Sequence, residues 1–403
     1  MTEAAETAIP AFPMPRGCPF APPAGYHELR AERPVSRVVL PTGRTCWLVT
    51  SYEHARPLLA DPRVSSRRAD PGYPALAPGA AALSEHTKGW LTWMDPPEHT
   101  AHRRMVLREF TVRRVQAMRP RIQRIVDERL DAMLAAGGPA DLVAELSLPV
   151  PSLVICELLG VPYADWNTFQ RNTAVAARFD STMEERIAAL GEVRAYLDRL
   201  VADKETDPAE DLLSRLIVGY QEAGDYDHDH LTSLATQLLI GGHETTANMI
   251  SLGVLALLEH PEQLAALTAD AGLMPAAVEE LLRYFSIADV VTGRVALADI
   301  EIGDVVIGAG DGLYLPLAAA NHDGAAYRNP HELDIHRDSR GHLAFGHGIH
   351  QCVGQQLARL ELAVTYRSLF ERIPGLRTTV PATELRYRDN ATIFGVAEVP
   401  VTW

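Results

Sequence analysis

The spacing of apolar positions along the chain predicts a protein built mainly from helices. Downstream of Asp95-Pro96-Pro97, apolar residues recur with the period of a helix that buries one face. Pro261 should separate two of these helices, because a proline inside a helix removes a backbone hydrogen bond and clashes with the preceding turn. The predicted helices cover residues 98–135, 151–160, 165–203, 208–223, 228–260, 261–270, 274–285 and 352–373.

Short β-like runs account for the rest of the pattern. The apolar runs Val38–Leu40 and Trp47–Val49 flank Pro41-Thr42-Gly43 and predict a hairpin. Further short strands are expected within residues 293–318 and 376–403. The pattern as a whole therefore predicts a fold that is mainly α, with small β-sheets towards its two ends.

Length and composition restrict both the organisation of the chain and the class of protein. The 403 residues contain no internal repeat and no low-complexity linker, so we expect a single domain over residues 1–403, beginning with an irregular lead-in at residues 1–25. A chain of this size buries roughly three quarters of its unfolded surface, which is enough to enclose a large cofactor. The formal net charge of −15 argues against a nucleic-acid partner, which would require a basic face.

The cysteines and the apolar runs indicate where the protein works. The four cysteines show no C-x-x-C pair and no disulfide framework, which indicates a reducing compartment. The N-terminus lacks the basic and apolar regions of a signal peptide, and no apolar run reaches the roughly 20 residues that a bilayer requires. We therefore expect a cytoplasmic protein without a membrane segment.

One stretch of the chain is basic, although the chain as a whole is acidic. Arginines crowd residues 103–129, where only Glu109, Asp127 and Glu128 oppose them. A basic patch on an acidic protein can dock an acidic partner. A solvated helix face explains the same charges without any partner, and the charge pattern alone favours that explanation.

Residues 345–354, with the sequence FGHGIHQCVG, carry the most informative pattern in the chain. Two glycines permit tight turns, and the lone Cys352 stands where a predicted helix begins. A thiolate at a helix N-terminus is stabilised by the helix dipole and by free backbone N–H groups, which also tune a metal bound to the sulfur. An isolated cysteine is more often an inert core residue. The glycine-rich turns on both sides favour a metal ligand here.

A second unusual pattern interrupts the long predicted helix at residues 228–260. Gly241 and Gly242 stand in its middle, where each glycine costs about 1 kcal/mol relative to alanine. They precede His243-Glu244-Thr245, and an acid beside a hydroxyl can hold water and pass protons. A weak point in a buried helix, with the hydroxyl bonded to the preceding turn, is the alternative. Residue 247 is alanine, which excludes a zinc site of the H-E-x-x-H type.

These patterns together resemble the cytochrome P450 family. Residues 345–354 match its haem-binding signature F-G-x-G-x-H-x-C-x-G, and residues 241–246 match its pattern [AG]-G-x-[DE]-T-[TS]. Residues 280–283 match E-x-x-R and residues 95–103 match D-P-P-x-H-x-x-x-R, in the chain order of the family. The resemblance extends over nearly the whole chain and implies the cytochrome P450 fold. One departure is His322, which replaces an arginine of the family and leaves the role of that arginine in doubt.

The resemblance implies a role for each patterned residue. Haem b would be bound with Cys352 as the thiolate ligand of its iron, beside Phe345 and Gly346 of the loop. Gly241 and Gly242 would let the long helix approach the haem. Four residues would bind the haem propionates, namely His99, Arg103, Arg294 and His350. Two residues, Glu244 and Thr245, would be catalytic and deliver protons to oxygen, and a buried ion pair between Glu280 and Arg283 would be structural.

The resemblance also implies a reaction. The protein would insert one oxygen atom from O₂ into a C–H bond of a lipophilic small molecule of the steroid, vitamin D, macrolide, polyketide or xenobiotic type. Electrons would come from NAD(P)H through ferredoxin reductase and a ferredoxin that docks on Arg104, Arg108 and Arg113 of a monomer. Alternatives are oxidative coupling, desaturation, peroxide-driven oxidation, or haem-thiolate binding without turnover. By analogy the substrate pocket would include Leu238, Leu239, Ile287, Val290, Val291, Ile393 and Phe394.

Overall fold

The computed structural model describes residues 9–162, 165–178, 180–389 and 391–403, and helices dominate it. The predicted fold class, mainly α with small β-sheets, is confirmed. The helices are α1 (Ala24–Glu32), α2 (Tyr52–Leu58), α3 (Ala80–His86), α4 (Glu98–Glu109), α5 (Val112–Ala117), α6 (Arg119–Ala136), α7 (Pro149–Leu159), α8 (Trp166–Ala177), α9 (Met183–Thr206), α10 (Leu212–Ala223), α11 (His228–Glu259), α12 (Pro261–Ala269), α13 (Met274–Phe285), α14 (Leu317–Asn321) and α15 (Gln355–Arg372).

The strands form three small sheets among the described residues. A five-stranded sheet has the order β1-β2-β8-β5-β3, a three-stranded sheet has the order β4-β10-β9, and β6 pairs with β7. Val35 lies opposite Val49 across β1 and β2, which confirms the predicted hairpin. The strands are β1 (Val35–Val39), β2 (Thr45–Val49), β3 (Val64–Ser65), β4 (Ala140–Asp141), β5 (Gly293–Ala296), β6 (Ile300–Ile302), β7 (Val305–Ile307), β8 (Gly312–Tyr314), β9 (Arg377–Thr378) and β10 (Pro400–Thr402).

Helix α11 lies at the centre of the molecule. The side chain of Asp227 accepts a hydrogen bond from the backbone N–H of His230 and so caps the first turn. The helix ends at Glu259, just before Pro261, as the sequence predicts. Helices α7, α9 and α15 pack against it, and most of its side chains are buried. This burial explains why the helix is apolar on nearly all sides.

Two predicted helices are each divided by a cap that the apolar spacing does not reveal. The segment at 98–135 breaks where the Thr111 hydroxyl accepts from the N–H of Arg114 and starts α5. The segment at 165–203 breaks before α9, where Thr182 and Glu185 form a capping box. The expectation of several strands within 376–403 is largely wrong, because only β9 and β10 form there among the described residues. No helix in the described ranges is both long and apolar enough to cross a membrane.

Candidate active site

Residues 345–354 form a tight loop in front of α15. Gly346 and Gly348 have φ angles of 72° and 73°, in the left-handed region that favours glycine. A Cβ on Gly348 would lie 2.7 Å from the Cα of Ala60, so only glycine allows this close approach. The backbone N–H of Cys352 donates to the carbonyl of Phe345 at 2.8 Å and closes the loop.

The Cys352 thiol lies in this loop, three residues before α15 begins. The residue is accessible to solvent, yet protein atoms surround the sulfur closely enough for burial to raise its pKa. Backbone N–H groups of Gly354 and Gln355 donate to the sulfur and oppose this rise, as does the charge of Arg103. Helix α15 begins at Gln355, so Cys352 precedes the helix and does not open it. The backbone N–H groups at the start of α15 therefore stabilise the thiolate as expected, although desolvation outweighs them and the pKa is raised overall. A metal ion bound to the sulfur would make it a thiolate.

Phe345 lies at the start of the same loop and is half-buried. The guanidinium carbon of Arg359 lies 4.7 Å from the centre of its ring, and the ring of His342 lies 5.9 Å away. Arg359 is itself fixed by Glu279, with 3.0 Å between Nη2 and Oε2. Glu279 of α13 therefore fixes Arg359 of α15, and the Phe345 ring packs against this arginine.

Four donor side chains gather beside the loop. The rings of His99 and His350 are 4.3 Å apart, and Arg103 and Arg294 are close enough to affect the pKa of His350. Burial, reinforced by neighbouring cations, lowers the pKa of His99 to about 4 and that of His350 to about 2. Arg103 donates to the carbonyl of Gln351, and Arg294 donates to its neighbour Gly293 at 2.8 Å. The structure therefore brings together all four residues that the sequence assigned to the propionates.

The unmet donors of this cluster indicate what it can hold. Both ring nitrogens of His99 and the Nε2 of His350 are buried and have no hydrogen-bond partner among the described residues. Such atoms are rare in folded proteins, where nearly all buried polar groups are paired. Two carboxylates on one ligand would supply the missing acceptors to the histidines and arginines. The cluster and the Cys352 sulfur therefore fit the haem that the sequence resemblance implies.

The middle of α11 presents an open face to this site. Gly241 is exposed and Thr245 is half-buried, although both lie in the middle of a buried helix. The Thr245 hydroxyl donates to the carbonyl of Gly241 at 2.7 Å, as the alternative interpretation expected. Gly242 does not face the open side, because a Cβ there would lie 2.9 Å from the Cδ1 of Ile155. The expectation that Gly242 makes room for the haem is therefore wrong, since it makes room for α7.

The acid of this segment has a partner that the sequence does not reveal. The Oε1 of Glu244 accepts from Nη1 of Arg388 at 3.0 Å. Burial raises the pKa of Glu244, and the charge of Arg388 partly opposes that rise. Arg388 lies in the irregular C-terminal region, without a recurring motif that could have marked it. Next to Glu244, His243 is fully enclosed and lies 3.1 Å from the hydroxyl of Thr173, which joins α11 to α8.

The Glu280–Arg283 pair is completely buried and bidentate. Nε and Nη2 of Arg283 donate to the two carboxylate oxygens of Glu280 at 2.7 and 2.8 Å. Arg283 also donates to the carbonyls of Asn321 and Pro330 at 2.9 and 2.8 Å. These contacts join α13 to the segment that leads into the thiol loop, and they support the structural role implied by the sequence.

His322, the departure from the family pattern, forms a pair with a second histidine. Its Nε2 lies 2.8 Å from the carbonyl of Tyr284, so this nitrogen carries the proton. Its Nδ1 then accepts from Nδ1 of His331, 3.1 Å away. Burial lowers the pKa of His322 to about 3, so the ring is neutral near neutral pH. A neutral histidine pair therefore occupies the place of an arginine.

Three of the predicted pocket residues line a common cavity. Ile287, Val290 and Phe394 border a space of about 110 Å³ between the N-terminal segment and the region after α13. The backbone N–H of Phe394 donates to the carbonyl of Ile287 at 3.0 Å, which holds two of them together. These positions remain candidates for contact with a substrate.

The other predicted pocket residues lie elsewhere. Leu239 is 0% exposed and belongs to the main hydrophobic core, so the prediction that it faces a substrate is wrong. Leu238 is buried in the same core, and the half-buried Ile393 packs against it. Val291 is half-buried at the end of a short 3₁₀ helix. The helical spacing of apolar residues cannot show which of two adjacent leucines faces a pocket.

Comparisons with known proteins agree with this site. A family model described as cytochrome P450 matches residues 33–373. A protein named vitamin D3 dihydroxylase, from Streptomyces griseolus, is 49% identical over 398 residues, which are 98% of each chain. The crystal structure of cytochrome P450 MoxA from Nonomuraea recticatena has a TM-score of 0.91 at 50% identity and covers 98% of both chains. The mycinamicin VIII C21 methyl hydroxylase MycCI from Micromonospora griseorubida, bound to mycinamicin VIII, has a TM-score of 0.90 at 42% identity, covering 98% of this chain and 100% of that one.

Proposed function

Because the chain belongs to the cytochrome P450 family and is a monooxygenase of that family, we propose that it hydroxylates a lipophilic small molecule with O₂. The observation that supports this proposal is the solvent-accessible Cys352, close to Arg103 and to a cluster of buried ring nitrogens that have no hydrogen-bond partner among the described residues. The cofactor is proposed to be haem b. When bound, it would supply the activation of O₂, with Cys352 as the thiolate ligand of the iron.

The residues around the cofactor would orient it and exclude water. His99 and His350 have orphaned ring nitrogens that would donate to its carboxylates, and Arg103 and Arg294 would neutralise their charge. Since these side chains come from three separate segments of the chain, the two carboxylates would fix the plane of the ring. Burial of the cluster would keep these charge-assisted hydrogen bonds strong.

The acid and the hydroxyl of α11 would deliver protons. The Thr245 hydroxyl lies on the open face of the helix beside Gly241, where it can donate to an oxygen atom at the site. Burial raises the pKa of Glu244, which favours the protonated carboxyl group that a proton donor requires. This pair favours the O₂ route over peroxide-driven oxidation. Oxidative coupling and desaturation would use the same site and are distinguished by their products.

The substrate is proposed to be a largely apolar molecule such as a vitamin D, a macrolide or another polyketide. One similar protein is named for vitamin D3, and another is a hydroxylase solved with mycinamicin VIII. Ile287, Val290 and Phe394 give this chain an apolar wall at the small cavity. An apolar wall suits the apolar part of substrates of this kind.

The electron donor is proposed to be a ferredoxin that docks behind the thiol loop, supplied by a ferredoxin reductase in the cytoplasm. Arg104, Arg108 and Arg113 are exposed on α4 and α5. On the same helix, Arg103 bonds to the carbonyl of Gln351, which directly precedes Cys352. This basic face therefore gives an acidic partner a short route to the sulfur of a monomeric enzyme.

The thiol ligand provides the test of this proposal. Cys352→Ser should remove the absorption band that the ferrous–CO complex of a thiolate-ligated haem shows. Cys18→Ser, which changes an exposed cysteine, is the matched control and should keep the band. Product analysis with ferredoxin, ferredoxin reductase and NAD(P)H then separates hydroxylation from the other oxidations. An unchanged band in Cys352→Ser, or no haem uptake by the unaltered protein, would refute the proposal.

A further inference from the structure

The small cavity described above combines an apolar wall with two arginines and two aspartates. We call it the Arg16 recess; it is lined by Arg16, Asp289, Arg388 and the predicted pocket residues Ile287, Val290 and Phe394, among others. The N-terminal segment, the region after α13 and the C-terminal region each contribute to it. Charged groups in such a wall are costly unless they bind something.

Arg16 has a hydrogen-bonding capacity that the described residues do not use. Its Nη1 donates to the carbonyl of Ala21 at 2.9 Å. Its Nη2 is buried and has no hydrogen-bond partner in the part of the chain that the structure describes. The guanidinium carbon lies 4.1 Å from the centre of the Phe394 ring, which fixes the plane of the group. An unsatisfied buried donor is destabilising, so an acceptor at this place would be bound favourably.

Two of the other charged groups of the recess, Asp289 and Arg388, already have partners, and a further carboxylate, that of Asp389, lies near Arg16. Asp289 accepts from the hydroxyl of Tyr26 at 2.9 Å and from the backbone N–H of Ala318 at 2.8 Å. Arg388 donates to Glu244 at 3.0 Å. The negative charge of Asp289 favours the charged form of Arg16, so the recess is electrically balanced. What it lacks is an uncharged acceptor, and a further anion would be repelled by Asp289.

We propose that Arg16 determines specificity by donating through Nη2 to a neutral carbonyl or hydroxyl oxygen at the end of an otherwise apolar substrate. The assignment rests on the proposed function, because the haem iron would define where the other end of the substrate lies. Ile287, Val290 and Phe394 contact the apolar part that leads to this oxygen. Substrates that end in a methyl group lose the hydrogen bond, and substrates that end in a carboxylate meet the charge of Asp289.

Imidazoles that carry a straight alkyl tail test the assignment in the haem-loaded protein. The imidazole would bind the iron and shift its absorption, and a series of tail lengths would bring the far end to the recess. At the length that fits, a tail ending in a methyl ketone should bind about tenfold more tightly than the hydrocarbon tail, as expected for one hydrogen bond from a charged donor. A carboxylate tail should bind no better than the ketone.

Two variants remove this preference by different means. Arg16→Met deletes the donor, and Val290→Phe fills the recess while Arg16 stays in place, so a folding defect in one does not remove the test. Arg63→Met is the matched control, because Arg63 is an exposed arginine paired with Asp61. The assignment is refuted if the ketone gains nothing at any length, if either variant keeps the preference, or if the carboxylate binds most tightly. If the protein binds the hydrocarbon tails but shows no preference for the ketone, only the assignment of Arg16 is refuted. A protein whose haem binds no imidazole refutes the proposed function as well.

Discussion

The ionisation of a single carboxyl group, that of Glu244, depends on two opposing effects. Burial raises its pKa, and the charge of Arg388 partly opposes the rise. In Arg388→Leu burial acts alone, so the pKa of Glu244 should rise by a further unit or so, about the effect of one close opposite charge. The carboxylate form would then appear only at higher pH. In the variant, the ratio of product formed to NAD(P)H consumed should therefore reach its highest values at a pH about one unit above that of the unaltered protein.

The matched variant Arg388→Lys keeps a cation beside Glu244 and should retain most of the original pH profile. A merely structural role for Arg388 would lower activity at every pH without moving the profile. An unmoved profile in Arg388→Leu would therefore separate Arg388 from the proton relay.

At the residue level, the sequence predicted groups with local patterns and missed those without them. The loop around Cys352 carries its glycines beside the ligand, so its turns could be anticipated. Arg388 contacts Glu244 and Arg16 contacts Phe394, and each partner is far away in the sequence. The residues on either side of each arginine form no motif that would indicate these contacts. Whether Gly242 faces the open side of α11 or the neighbouring helix also depends on where α7 lies, and the sequence pattern does not show this.

The histidine pair links two elements, α14 and the segment that precedes the thiol loop. His322→Arg would place a cation opposite His331 and beside Arg283, in a buried position without a counter-charge. We expect this change to lower the free energy of unfolding by about 3 kcal/mol. Adding His331→Asp supplies an acceptor and a negative charge, and should recover much of the loss.

Denaturant unfolding of the four proteins in this cycle measures the coupling between residues 322 and 331. His331→Asp alone should cost less, because residue 331 is exposed and its carboxylate stays hydrated while it faces a neutral ring. Strictly additive effects of the two changes would show that the pair is not a unit.

At the level of elements, periodicity located the helices but not their divisions. Apolar residues continue with helical spacing across Thr111 and Thr182, because both halves bury one face against the same core. Only the hydroxyl–backbone bonds of the caps decide where one helix stops. In the C-terminal region only β9 and β10 form ladders among the described residues, and other apolar residues there, such as Leu385 and Phe394, pack against the core outside any strand.

The charge distribution of the whole molecule governs how it meets a partner. The chain carries a formal net charge of −15, yet α4 and α5 present an arginine-rich face. Arg104→Gln combined with Arg108→Gln should slow association with an acidic ferredoxin about tenfold at low ionic strength, and the difference should shrink as salt screens the charges. Stopped-flow electron transfer at several salt concentrations measures this.

A double change of the same kind on another face is the control for that measurement. Arg194→Gln with Arg199→Gln alters two arginines of α9 and should leave the association rate nearly unchanged. Equal slowing by both pairs would mean that net charge matters and that the α4–α5 face has no special role.

The Arg16 recess and the oxygen-activating residues are built from different parts of the chain. The thiol loop, α4 and the middle of α11 carry the chemistry, whereas the N-terminal segment and the regions around Val290 and Phe394 form the recess wall. Apart from Arg388, which also pairs with Glu244, residues of the wall can therefore be changed to alter which molecules are accepted while the reaction itself stays intact. Such an arrangement makes the scaffold readily adaptable, both for descendants that acquire new natural products and for laboratory evolution confined to those short segments.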